Sequence, residues 1–200
     1  MNTQTHLENH SHHNAGQNGS IGRHVLGRWP SLLGLAALLF NVTNGADSHV
    51  TAMIIVIASM CYLAASAIGR QHSGWVVVAV ASIAVVLARL TGLDPTATLL
   101  VMGAGFAAFG FLRGRNIDRR ELTAQTLAFG GFSAIALTAM VVNPVAALYL
   151  AALGAIGHAG WDVIYFVRNK VVPRSLAEAC FMLDLGLGVA LLLIAWLGPF

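Results

Sequence analysis

The chain has 200 residues, of which 57% are hydrophobic and 10% charged, with a formal net charge of +3. A soluble domain carries about a quarter charged residues, so the composition excludes water as the main solvent and points to lipid. The basic residues lie in short clusters rather than along one continuous face and no nucleic-acid motif is present, which excludes nucleic acid as a partner.

Residues 1–22 are polar, rich in His, Asn and Gln, and lack apolar periodicity, so they read as a disordered cytosolic tail. Residues 23–200 then form a single transmembrane helical domain. Clustered histidines such as His6, His10, His12 and His13 can gather Zn²⁺, Ni²⁺ or Cu²⁺, although idle histidines are also common in unfolded tails.

Seven apolar runs follow, at 29–44, 48–69, 73–93, 95–112, 122–142, 144–167 and 176–197. At about 1.5 Å per residue most are long enough for a hydrocarbon core of about 30 Å. The first is the weakest, with its dense apolar part confined to 32–40. Asp94-Pro95 and Asn143-Pro144 each offer an N-cap followed by proline at the first helical position. Pro173 breaks the sixth run, and Ser175 with Glu178 has the spacing of a capping box for the seventh.

The basic residues orient the chain. With the N-terminus inside and seven crossings, Arg23, Arg28, Arg70, Arg113, Arg115, Arg119, Arg120, Arg168, Lys170 and Arg174 all fall on the cytosolic side. Only Arg89 falls elsewhere, near the end of the third run, where it can snorkel outward. That alternation is what the positive-inside rule demands. Trp29, Trp75 and Trp196 sit at run ends, as in an aromatic belt. The expectation is an all-α, polytopic membrane helix bundle of seven transmembrane helices, N-terminus cytosolic and C-terminus outside. A rival reading makes the first run a signal peptide cut after Asn44-Gly45-Ala46, although asparagine is a poor residue three before a cut.

Close helix packing is expected at Gly103, Gly105, Gly110, Gly130, Gly131, Gly154, Gly157 and Gly160. Cys61 and Cys180 lack a CxxC partner and imply no disulfide framework. Lys170 is the only lysine, so no mid-membrane lysine can form a Schiff base and a retinal-type photoreceptor is not expected. The arginine bias suits a GC-rich bacterial genome, and with it a bacterial plasma membrane (inner membrane). The 113–120 segment, with Arg113, Arg115, Arg119 and Arg120, is expected to contact anionic lipid headgroups at about 1 kcal/mol per charge.

Ionisable residues inside a span are costly and are candidates for function by default. Asp94 and Glu178 have capping roles, Asp118 and Glu121 fall in the arginine-rich loop, and His49 lies in the first turn of its run. His158 and Asp162 in the sixth run and Asp184 in the seventh remain, with Cys180 beside them. His158 and Asp162 are four apart and share a helix face with Tyr165, and Cys180 and Asp184 are also four apart. From the cytosolic edge, His158 lies roughly 15 Å deep and Asp184 roughly 13 Å, while Asp162 lies roughly 9 Å deep and Cys180 roughly 7 Å. His158 should therefore meet Asp184, and Asp162 should meet Cys180, with Trp161 flanking the patch.

Three readings of the patch are open. A His–Asp hydrogen bond can simply fasten the last two helices, worth roughly 0.6 to 2 kcal/mol, with Asp162 bonded to Tyr165 or to a backbone group. A histidine between carboxylates can instead pass protons or hold a small solute. The same donors, His158, Asp162 and Asp184, can also hold a metal ion or serve an intramembrane enzyme as general acid and base. In helix number and orientation the chain resembles the progestin-receptor and ceramidase-like membrane hydrolases. Those use several intramembrane histidines where this chain has His158, so nothing of their site is carried over. The first expectation is proton-coupled or small-solute transport, and the rivals are an intramembrane enzyme and a non-catalytic membrane subunit. The lipid bilayer is the one partner that the residues themselves imply, and they name no cofactor.

Overall fold

The structure is a computed structural model and describes residues 28–114 and 117–198. The histidine tail and Arg115 lie outside the described residues. Apolar runs in lipid form helices because a spanning backbone must satisfy its own polar groups. Seven helices result among the described residues: α1 (Trp29–Thr43), α2 (Ser48–Ile68), α3 (Ser73–Thr91), α4 (Pro95–Leu112), α5 (Arg119–Val141), α6 (Pro144–Arg168) and α7 (Arg174–Leu197). Six of them, α2 to α7, are long and apolar enough to cross a membrane. The first has 15 residues, or about 22 Å, short of the about 30 Å that a full crossing takes.

Local chemistry starts and stops these helices. Asp94 accepts from the Ala97 amide at 2.6 Å and Asn143 from the Ala146 amide at 3.0 Å, each just ahead of the proline that opens its helix. Asp47 caps α2 through the His49 amide, and Asp118 caps α5 through the amides of Arg120 and Glu121. The end of α2 requires the left-handed conformation, with Gly69 at φ 71°, which glycine adopts without strain.

Two boundaries differ from the sequence reading. Helix α5 opens at Arg119, so Arg119, Arg120 and Glu121 form its first turn rather than a loop. Once Asp118 has satisfied the leading amides, nothing holds those residues out of the helix. The capping box of α7 does not form: its N-cap is Pro173, with no side-chain bond. Ser175 instead accepts from the Trp75 indole at 3.1 Å, and Glu178 accepts from the Ser31 hydroxyl and faces Arg28 at 4.0 Å. Contacts between helices thus take up both side chains that the spacing assigned to the cap.

Helix α2 is the centre of the bundle and touches every helix from α3 to α7. Its side chains are buried nearly throughout, including Ile55, Met60, Cys61, Tyr62 and Leu63. The surrounding helices turn Leu90, Val101, Leu112, Leu127, Leu153 and Val167 outward, as lipid allows and water would not. The outermost helix, α1, packs on α7, and the two run parallel: Ser31 meets Glu178, Gly34 meets Ala179 and Met182, and Leu38 meets Gly186. Gly34 is required there, because a Cβ would press into the Ala179 carbonyl oxygen and lie 3.0 Å from Met182 Cβ.

Small residues pack where expected at three positions: Gly103 under Phe129, Gly110 against Leu122 and Ala67, and Gly154 against Ile135 and Ile55. Gly157 meets only Phe132, at 3.6 Å, and Gly105, Gly130, Gly131 and Gly160 face open space. Two further glycines that set close helix approaches, Gly186 and Gly188, lie in α7.

The basic segments gather at one end of the bundle. Arg113 donates to the Ile68 carbonyl at 2.9 Å, Gln71 donates to the Asn169 carbonyl at 2.9 Å, and the Trp29 and Trp75 rings stand 5.3 Å apart. Reporter fusions after Gly45 and after Phe200 are expected on the same side of the membrane, opposite one inserted after Gly114. A Gly34→Val substitution should lower unfolding stability in detergent by about 1–3 kcal/mol, since it overpacks the α1–α7 contact. An unchanged unfolding midpoint would mean that α1 does not hold to α7.

Candidate functional site

The site begins with α6 and α7, the most extensively packed pair in the bundle. Alanines at 151, 152, 155 and 159 keep the buried face of α6 low. On α7, Gly188 lies against it: a Cβ there would come within 2.6 Å of Ile156 Cγ1 and 3.0 Å of the Ala152 carbonyl oxygen. One turn before Gly188 is Asp184, so the close approach of the two backbones carries its carboxylate to His158.

His158 Nδ1 lies 2.8 Å from Asp184 Oδ2 and 3.5 Å from Asp162 Oδ2, and all three side chains are buried. An ionised carboxylate only accepts, so toward an ionised Asp184 the ring donates from Nδ1. Asp162 is held from the opposite side by α2, where Tyr62 donates to its Oδ1 at 2.6 Å. The expected meeting of His158 with Asp184 is therefore present. Asp162, however, takes Tyr62 as its hydrogen-bond partner rather than Cys180 or Tyr165. The central helix puts a hydroxyl at the level of Asp162, and Cys180 makes no hydrogen bond among the described residues.

Tyr165 turns instead toward the basic end. Its hydroxyl donates to Glu121 Oε2 at 2.9 Å, and Glu121 also pairs with Arg168, whose guanidinium lies 5.1 Å above the Tyr165 ring. Next to it, the Trp161 indole donates to Gln125 Oε1 at 3.2 Å. The Tyr62 ring bridges the two polar layers, packing on His158 at 5.7 Å and on Tyr165 at 5.4 Å. Phe132 closes the far side, 5.0 Å from the His158 ring. A cavity of about 290 Å³ between α1, α6 and α7 has Asp162, Phe166 and Met182 in its wall together with Arg28, Ser31 and Glu178.

Several polar atoms in the cluster are left unpaired: Asp162 Oδ2, Asp184 Oδ1 and His158 Nε2 accept and donate no hydrogen bond among the described residues. A buried carboxylate oxygen without a donor is expensive in an apolar medium. One imidazole nitrogen and one oxygen from each aspartate lie within 4.8 Å of one another, so His158, Asp162 and Asp184 form a possible ligand set for a small cation.

Three members of the wider site are not legible as such in the sequence: Tyr62, Glu121 and Gln125. Tyr62 lies in an apolar run with nothing in its spacing to mark it. Gln125, a wholly buried amide inside a span, carried a signal that polarity alone supplies. Of the arginines expected at lipid headgroups, Arg113, Arg119 and Arg120 are exposed, with Arg113 and Arg119 covering the rings of Phe109 and Phe111. No protein-family model, curated protein or solved structure matches the chain.

Tyr62→Phe removes the one hydrogen bond to Asp162 Oδ1 among the described residues and keeps the ring contacts. It should lower stability by roughly 0.6 to 2 kcal/mol, read as a shift in the unfolding midpoint in mixed micelles. Gly188→Val should cost more and should push α7 away from α6; cysteines placed at 158 and 184 in that background should cross-link more slowly than with glycine at 188.

Proposed function

We propose that the chain is a multi-pass membrane protein that moves protons or a small cationic solute through the polar cluster of α6, α7 and α2, with its arginine-rich end toward the cytosol. The observation that carries this reading is one histidine nitrogen within reach of two carboxylates from two helices, wholly buried in an apolar bundle. A purely structural fastening needs His158 and Asp184 alone. A second carboxylate beside the same nitrogen adds negative charge in a medium that penalises it, which helix packing does not require.

The surroundings supply a way in. Glu121, Tyr165 and Arg168 line the basic end directly beneath Tyr62, and the cavity between α1, α6 and α7 leads to Asp162. A cation arriving from that end would meet Glu121 or Glu178 first, then Asp162, and then His158 with Asp184. Movement to the opposite face would need α6 and α7 to part, since the Ala152–Gly188 contact closes the bundle beyond His158.

The test is proton or cation flux into proteoliposomes that contain the purified full chain. Asp184→Asn and His158→Gln should each reduce the flux at least about ten-fold, the effect of losing a group that touches the transported species. Tyr62→Phe should slow flux without abolishing it. Full flux in both cluster variants, with folding intact by circular dichroism, would leave these residues a structural role only.

A further inference from the structure

We infer that His158 Nδ1, together with one oxygen each from Asp162 and Asp184, forms a three-ligand site for a single divalent first-row transition ion. The inference rests on the transport reading of the same cluster and names its cargo. Three observations carry it. The three donor atoms already lie within 4.8 Å of one another. Two ligands of an ion at about 2.1 Å are at most about 4.2 Å apart, so small carboxylate rotations complete the approach. Asp162 Oδ2 is buried, has no hydrogen-bond donor, and sits 3.5 Å from the same nitrogen that meets Asp184 at 2.8 Å. An oxygen in that position gains a partner when a cation lies between the three groups.

Charge agrees with geometry. A neutral imidazole and two carboxylates sum to a charge of −2, which one divalent ion cancels. In an apolar bundle that cancellation favours a divalent ion over a monovalent one. The donor types narrow the metal further. Imidazole with carboxylate suits Zn²⁺, Mn²⁺, Fe²⁺ or Co²⁺; Mg²⁺ and Ca²⁺ prefer all-oxygen sites, and Cu⁺ prefers sulfur. With three protein ligands, a coordination position stays open for water or an entering group.

The outer partners suit an ion that leaves again. Tyr62 holds Asp162 by its other oxygen, as a supporting residue should. An ion at Nδ1 takes the place of the proton given to Asp184, so the neutral ring carries its proton on Nε2, which has no acceptor among the described residues. Ligating histidines normally donate from the second nitrogen, and losing that bond weakens metal affinity about 10–100-fold. Weaker, reversible binding is what cargo needs.

The experiment uses the purified full chain without a polyhistidine tag, in detergent, with His6, His10, His12 and His13 replaced by alanine so that the tail cannot contribute. Co²⁺ is the probe, because its visible absorption reports a low-coordinate nitrogen and oxygen site, and Zn²⁺ is the competitor. Expected are about one Co²⁺ per chain, displacement by Zn²⁺, and a rise in the unfolding midpoint on metal addition. Asp162→Asn and Asp184→Asn, near-isosteric changes, should each weaken Co²⁺ binding at least about ten-fold. Absence of stoichiometric Co²⁺ binding by the folded, tail-substituted chain overturns the inference, even where proton flux in proteoliposomes persists and the transport reading stands. Stoichiometric binding lost in both aspartate variants supports the site, and if no ion or proton then moves in proteoliposomes, it is the transport reading that fails.

Discussion

The contact between His158 and Asp184 sets the terms for much of the bundle. Two polar side chains at mid-depth in an apolar medium must find each other or lose several kcal/mol. They meet at 2.8 Å only because the α6 and α7 backbones come very close, and that approach depends on Gly188 facing Ala152. Asp162 adds a second demand on the same helix face, and it is met from α2 by Tyr62. The central position of α2, which touches α3 through α7, is thus linked to the chemistry of the site as well as to packing.

Around that contact the polar groups form two layers. The deeper holds Asp184, His158, Asp162 and Tyr62, and the shallower holds Glu121, Tyr165, Arg168, Gln125 and Trp161. Their character differs. The shallower layer includes a guanidinium and balances its own charge, since Arg168 faces Glu121 beside a half-exposed edge of the bundle. The deeper layer holds two aspartates, one imidazole and oxygen atoms without a hydrogen-bond partner among the described residues. Helix α1 belongs to the same account, for its packing on α7 encloses the cavity that borders Asp162.

Much of the fold can be read along the chain. Asp94-Pro95 and Asn143-Pro144 mark helix starts because an N-cap and a proline act within one turn, with no help from distant residues. The meeting of His158 with Asp184 is also legible, since two antiparallel helices joined by a short loop hold equal depths in register. Where local spacing and tertiary demand compete, the local reading fails. Ser175 and Glu178 have capping-box spacing, yet Trp75 and Ser31 take their side chains. Glu121 follows arginines in what reads as a loop, yet it lies in a helical turn because Asp118 caps it and Tyr165 and Arg168 bind it.

The sequence by itself determines that this is an all-helical bundle for a lipid environment, which runs become helices, and that His158, Asp162 and Asp184 need explaining. Those conclusions follow from composition, caps and the cost of charge in an apolar run, all properties of short stretches. Only the tertiary structure decides that α2 is the core, that α1 lies parallel to α7, and that Asp162 pairs with Tyr62, 100 positions away in the chain. The physical reason is that apolar helices in lipid gain little by hydrophobicity from choosing one neighbour over another. Their arrangement is settled instead by where backbones can approach closely, and glycines such as Gly34 and Gly188 express that preference only when the partner surface is present.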